Sequence, residues 1–225
     1  MIEIIRLAAN SARLFMKLTK LTKSVHMAER YYAELENGER LSIDLAAVAD
    51  LSLYDGRELN DEELISLREY SKRSYAKERA LRLLEKRQMS RRELIKKLME
   101  KGEEEASAEY AADLMERIGA INDREYAGAV ARHYKRMGYG AGRVRQELMR
   151  RGVDREYWAE AVDEAPENSE KLDALLERKL RNADLSDRKE VKKATDMLLR
   201  RGFSWSEIKE ALGRYTDALD DYTED

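Results

Sequence analysis

The sequence predicts a mainly α-helical protein made of tandem three-helix repeats, with a small N-terminal β-hairpin region. Three observations carry this. A short phrase occurs three times, as Leu98-Met99-Glu100-Lys101-Gly102, Leu148-Met149-Arg150-Arg151-Gly152 and Leu198-Leu199-Arg200-Arg201-Gly202, and its glycines fall 50 residues apart. Periods of that order belong to arrays of helical supersecondary units. The 225 residues include one proline, 11 glycines and 40% charged side chains, and a mean hydropathy of -0.75 suits amphipathic helices with a high surface-to-core ratio. Finally, Asn37-Gly38 separates Tyr31–Leu35 from Leu41–Ile43, and Asn-Gly between such runs signals a tight hairpin because both residues tolerate positive φ.

Taken in order, residues 1–60 read as an N-terminal leader and β-hairpin region. Ile2–Leu18 is fairly apolar but is interrupted by Glu3, Arg6, Arg13 and Lys17. It therefore has neither a signal peptide's apolar run nor the length of a membrane span, and is expected to be a helical extension or loosely held leader. Met16 is a second candidate start. Asp44 is placed to cap a short helix through Ala49, and Asn60-Asp61-Glu62-Glu63 forms the acidic first turn of another.

Residues 61–120 are expected to form the first repeat, with a long lead-in helix striped by Leu64, Leu67, Tyr70, Ser74, Leu81 and Leu84. Ser90-Arg91-Arg92-Glu93 has capping-box form and opens a helix ending at Gly102, with Leu94-Ile95 and Leu98-Met99 expected inside. Ser107 is then expected to cap a third helix with Tyr110, Leu114 and Ile118 on one side, closed by Gly119.

The second repeat, 121–165, begins at Asn122 with Tyr126, Val130 and Tyr134 on one face. It continues through a helix over about Ala141–Arg151, and Asp154 is placed to cap the third helix. In the third repeat, 166–213, Ser169, Ser186 and Ser204 are the expected helix starts, and 214–225 is an acidic tail. Gly152 through Val162 aligns without gaps to Gly202 through Leu212, matching C-cap glycine, apolar residue, N-cap and buried stripe.

The absence of cysteine excludes disulfides and thiolate metal sites and favours an intracellular protein. His26 and His133 show no ligand spacing, so no metal is expected. Gly138-Tyr139-Gly140-Ala141-Gly142 lacks the preceding strand and the Lys-Ser/Thr of a phosphate-binding loop, and reads as a flexible connection between helices. No catalytic constellation, cofactor site or enzyme activity is expected.

Charge is segregated. Glu85–Lys101 holds seven basic and three acidic residues, Asn122–Val153 eight and three, and Ser186–Gly202 six and three. Gly102–Ile118 holds six acids against one base, and Asp154–Asp173 eight against two. Stacked repeats would then present a basic band and an acidic one, suited to a charged polymer or filament. The plain alternative is that such charges only solvate exposed faces. Arg143, Gln146 and Arg150 lie opposite the Val144/Leu148 stripe, and Arg132, Lys135 and Arg136 extend the basic region. Tyr134, at helical spacing from Tyr126 and Val130, reads as core ahead of a stacking contact.

Several stretches together resemble the bacterial RecX regulators of the RecA recombinase: Ala80-Leu81-Arg82-Leu83-Leu84, Ser90–Leu94, Leu98–Gly102, Ile121–Ala127, and Arg136-Met137-Gly138 running into Arg143–Leu148 and Gly152-Val153. The resemblance covers about Ala80–Leu212. It implies three tandem three-helix repeats in an elongated curved array that lies along the RecA–DNA filament. It also implies a cytoplasmic negative regulator of homologous recombination, connected to DNA repair and the SOS response, that inhibits RecA ATPase and strand exchange by spanning adjacent subunits. The chain departs from the family pattern at Gly140-Ala141, where a proline often follows, and in its leader.

The expected contacts with the filament or its DNA are Arg132, Lys135, Arg136, Arg143 and Arg150, with Lys96 and Lys97 secondary. A monomer without membrane association is expected. The alternatives are a direct DNA-binding helical module that affects RecA only by competing for single- or double-stranded DNA, and a helical scaffold for an unrelated protein.

Overall fold

The structure is a computed structural model that describes residues 15–25, 27, 29–181, 183 and 188–223, with side chains through residue 216. His26, Ser186 and residues 1–14 lie outside the described residues, so the expectations placed on them stay with the sequence. The chain divides into two compact units. One comprises residues up to Arg87 together with Leu94–Ile118, the other Gln88–Glu93 together with the chain from Gly119 onward.

In the first unit, β1 (Met16–Lys23), β2 (Arg30–Leu35), β3 (Arg40–Asp44) and β4 (Glu58–Leu59) pair antiparallel in the order β3-β2-β1-β4. Met16–Leu18, expected in the leader, are strand residues. Leu18 is fully buried opposite Leu35, and Met16 pairs with Leu59. The expected hairpin joins β2 to β3, but its loop is Glu36-Asn37-Gly38, one residue longer than a two-residue turn. Leu35 N donates to the Glu39 carbonyl at 2.8 Å, and among these three only Gly38 has positive φ, at 84°. That is a turn followed by a left-handed glycine. Asn37 instead uses its side-chain oxygen to accept from Glu39 N at 2.9 Å.

Asp44 caps α1 (Leu45–Asp50) through Ala47 N at 3.1 Å. Asn60 and Glu63 form a reciprocal capping box at the start of α2 (Asp61–Leu84). This long helix packs against both β3 and α4 (Glu105–Arg117). Two neighbours require small side chains at the contacts: α2 buries Ser71, Ser74, Ala76 and Ala80, and α4 buries Ser107, Ala108, Ala111, Ala112 and Met115. The expectation for α4 is therefore corrected. Ser107 is inside the helix, and Tyr110 (36% exposed) and Ile118 (58%) face outward because the alanine face allows closer helix approach than the bulkier stripe would. In α3 (Arg91–Glu100), Leu94 and Leu98 are fully buried while Ile95 is half-buried and Met99 exposed, as a 100° step per residue dictates.

The second unit contains α5 (Asp123–Arg136), α6 (Ala141–Arg150), a 3₁₀ turn over Arg155–Tyr157 leading into α7 (Trp158–Asp163), α8 (Ser169–Leu180), α9 (Arg188–Arg200) and α10 (Trp205–Thr223). Asn122 caps α5 through Glu125 N at 3.1 Å, and Ser204 and Glu207 cap each other's amides at 3.2 and 2.6 Å. Asp154 makes no side-chain cap, since the 3₁₀ turn intervenes before the α-helix. One core gathers Tyr126, Val130, Val144, Leu148, Val153 and Val162. A second gathers Leu172, Leu176, Leu180, Leu198, Phe203 and Ile208.

The recurring glycines close their helices in the left-handed region, at φ 91°, 70° and 88° for Gly102, Gly152 and Gly202. Two of them also form joints. Ser90 Oγ donates to the Arg151 carbonyl at 2.5 Å, and Gly152 lies against the Arg92 side chain. Correspondingly, Gly140 N donates to the Arg201 carbonyl and Gly142 N to the Gly202 carbonyl, both at 2.9 Å. The segment 138–142 is thus a pinned contact, which corrects its reading as a flexible connection.

The space at these glycines sets their tolerance. A Cβ on Gly202 would fall 2.1 Å from Arg143 N, and one on Gly140 would fall 2.4 Å from Gly202 backbone, whereas Gly102 has nothing within 4 Å. Gly102→Ala is expected to cost about 1 kcal/mol, the left-handed penalty alone. Gly202→Ala should cost roughly 3 kcal/mol or more because backbone must move as well. Urea denaturation of the two variants beside the parent chain tests this; equal losses would contradict the joint.

Candidate functional site

The middle repeat gathers most of the basic residues singled out in the sequence. Its α6 follows Gly140 and is held in place by Val144 and Leu148, both fully buried, on one side. The opposite arc carries Arg143, Arg145, Gln146, Met149 and Arg150, all exposed. Between the two sides lies Glu147, only 3% exposed. A carboxylate that deep needs partners for its charge and its oxygens. It accepts from Arg150 Nε and Nη2 at 3.0 and 2.5 Å and from Arg151 Nε at 2.7 Å, while Arg151 Nη1 donates to the Tyr126 hydroxyl at 2.7 Å.

The hydrogen bonds from Arg150, reinforced by Arg151 and outweighing burial, pull the Glu147 carboxyl down from 4.5 to about 2. For Arg151 burial acts to lower the pKa, but the bonds to Tyr126 and Glu147 overcome it and the net shift is upward. The carboxylate thus orients Arg150, whose side chain remains 70% exposed, and the arc as a whole stays positively charged.

The other candidates differ in how they are held. Arg132 and Arg136 are exposed one helical turn apart on α5, and the Arg132 guanidinium folds back over Gly128. Lys135 is half-buried, and its Nζ donates to the Val162 and Ala165 carbonyls at 2.8 and 3.0 Å, capping the end of α7. Arg143 Nη1 reaches Gln146 Oε1 at 3.4 Å, holding two members of the arc together. In α3, Lys96 is 77% exposed and 3.8 Å from Glu100, whereas Lys97 is half-buried. Tyr134 packs against the core of its repeat, with its ring 5.5 Å from that of Tyr139, and Tyr139 in turn lies 5.3 Å from the Arg201 guanidinium. These rings are engaged inside the protein.

Arg145 was absent from the expected contacts. It belongs to the same exposed arc and also lines a cleft of about 590 Å³ with Asp163, Glu207 and Arg214. Its signal in the sequence was its place next to Val144 and three before Leu148, off the buried stripe. Glu147 was also missed; an acid beside the buried stripe, followed at three and four residues by arginines, was its signal. Among the described residues no cluster of three or more His, Asp or Glu side chains could hold a metal, and no helix is long and apolar enough to cross a membrane.

Comparison with known proteins follows the same division of the chain. Family models described as RecX, first, second and third three-helix domains match residues 76–113, 122–162 and 167–212. The chain belongs to the RecX family. The first match starts inside α2, so the four-stranded sheet precedes the RecX repeats.

"Regulatory protein RecX" of Xanthomonas axonopodis pv. citri (strain 306) is 35% identical over 135 residues, covering 60% of this chain and 83% of that protein. The RecX protein of Vibrio parahaemolyticus serotype O3:K6 (strain RIMD 2210633) is 34% identical over 138 residues, covering 61% and 89%. A crystal structure of regulatory protein RecX superimposes with a TM-score of 0.73 at 22% identity, covering 88% of this chain and 99% of that one. The crystal structure of RecX from Lactobacillus salivarius gives 0.60 at 23% identity, covering 64% and 96%. At these identities the two structures support the fold.

The Glu147 pair sets a pH dependence. A carboxyl whose folded pKa is depressed contributes stability that is complete above its unfolded value near 4.5 and is lost as pH falls toward about 2. Because Arg150 is 70% exposed, solvent screens much of the pair, and its contribution is on the order of 1 kcal/mol. Glu147→Gln should therefore be less stable than the parent at pH 7, and the gap should close as pH falls from 4.5 toward 2. Urea midpoints of both proteins across that range test it; a gap independent of pH would refute the assignment.

Proposed function

We propose that this chain is a regulatory protein of the RecX type that restrains homologous recombination by binding the RecA–DNA filament and inhibiting RecA ATPase and strand exchange. The observation that carries this reading is the uncovered arc of α6, where Arg143, Arg145, Gln146 and Arg150 stand free of the core within the second RecX repeat. Curated relatives of this chain are named as regulatory proteins, and a charged, chemically inert surface is what a regulator needs of its partner.

Inhibition on this reading comes from clamping. Repeats that engage adjacent RecA subunits gain affinity through effective concentration, and they hold an inter-subunit geometry that ATP turnover must change. Arg143 and Arg150 are the central contacts, Arg132 and Arg136 are further contacts on α5, and Lys96 is a contact of the first repeat. Lys135 and Lys97 contribute less directly, since one caps α7 and the other is half-buried. The setting is cytoplasmic and the protein acts without a cofactor.

Reversal of charge tests the reading. Arg143→Glu with Arg150→Glu should weaken inhibition of RecA's DNA-dependent ATPase by about tenfold or more, since paired reversals replace attraction with repulsion. Arg143→Glu with Arg145→Glu leaves the Glu147 pair intact and should do the same. Unchanged inhibition by folded variants would sink the proposal. Inhibition that instead follows the affinity for bare DNA, and falls with salt in parallel with it, would make competition for DNA the mechanism.

A further inference from the structure

The phrase repeated in α3, α6 and α9 contains one residue for which a purely basic surface has no use. In each repeat the residue after the fully buried leucine is large, apolar and turned outward. Met99 is 45% exposed, Met149 64% and Leu199 44%, beside Leu98, Leu148 and Leu198 at 0%. The 100° step from each leucine explains the direction but not the residue type. A position in the last turn of a basic helix is served equally well by Lys, Arg or Gln.

Neighbouring positions at the same spacing in the three helices, all exposed except the half-buried Asp196, sharpen the point. Three residues before the apolar one stand Lys96, Gln146 and Asp196, and one residue after it stand Glu100, Arg150 and Arg200. Charge varies from repeat to repeat at both places, whereas the outward apolar side chain is kept in all three. In α6 it stands one helical turn from Arg145 and Gln146 and next to Arg150, so there the apolar side chain has basic neighbours. That is the anatomy of a protein contact, in which a desolvated apolar anchor supplies affinity and the charged rim supplies orientation. DNA phosphates offer no partner for a thioether or a leucine side chain.

We propose that Met99, Met149 and Leu199 are binding anchors, one for each repeat, that insert into apolar pockets on a protein partner built from repeated subunits, the pocket for Met149 carrying an acidic rim. Three equivalent anchors fit a partner that presents equivalent sites, and a flexible thioether adapts to small differences between them. This rests on the filament reading above and adds the kind of surface contacted: protein, with Arg145 and Arg150 beside Met149 read by carboxylates.

The experiment uses the full chain. Met149→Gln, and the triple variant with Met99→Gln and Leu199→Gln, keep helix propensity and side-chain length and leave the core untouched. Binding is measured by co-sedimentation with preformed RecA filaments and, separately, to bare single- and double-stranded DNA at low salt, with circular dichroism as the folding control. Met149→Gln should weaken filament binding by about tenfold and the triple variant by about a hundredfold or more, with DNA affinity within about twofold of the parent. Filament affinity equal to the parent's would overturn the proposal. So would a parallel loss on DNA, which would make these side chains wedges between bases. A parent chain that does not bind filaments removes the underlying reading as well; a parent that binds and a triple variant that binds equally removes only the anchors.

Discussion

The arrangement of the second unit depends on a backbone contact between two helix ends. A helix begins with amides that lack acceptors and ends with carbonyls that lack donors. Here the two deficits meet: Gly140 and Gly142, at the start of α6, donate to the carbonyls of Arg201 and Gly202 at the end of α9. The approach is close enough that no Cβ fits on Gly140 or Gly202. Arg201 completes the contact by donating to the Gly138 carbonyl at 3.2 Å and stacking near Tyr139. The same geometry commits the Gly140 and Gly142 amides to carbonyls of the neighbouring helix end.

The contact at its start and the burial of Val144 and Leu148 set which way α6 faces, and the direction of its outer arc follows. Glu147 refines this at the level of single side chains. A buried carboxylate next to two arginines looks like a structural liability, since removing either partner leaves charge uncompensated. Its effect is to hold one guanidinium against Tyr126 and to hold the other at the surface against the Glu147 carboxylate.

Much of the fold was legible because helix ends are written in short local codes. Asn60, Asn122 and Ser204 each make the cap their positions imply, and the three glycines adopt the left-handed turn. The failures occur where tertiary neighbours decide. Nothing local shows that Ala108, Ala111 and Ala112 are buried in place of Tyr110 and Ile118; that follows from the close packing of α2 on α4. Met16–Leu18 look like part of a leader until β2 and β4 are present to pair with them. For the site, helix periodicity was enough to turn Arg143, Gln146 and Arg150 outward. It could not show that Lys135 is committed to the carbonyls ending α7, because those lie 27 and 30 residues along the chain.

The two joints also differ in how they are exposed to genetic change. At Ser90 the bond to the Arg151 carbonyl is made by a side-chain hydroxyl, so a single nucleotide change that removes the hydroxyl removes the bond. At Gly140 and Gly142 both bonds come from the main chain, which every residue except proline carries, so there is no side chain to lose. Damage there can come only from added atoms. Substitutions therefore act in opposite senses at the two sites, by losing a functional group at one and by acquiring any side chain at the other. Lineages free to drift would be expected to loosen the Ser90 joint first, and to keep the glycine joint until the third repeat itself is dispensable.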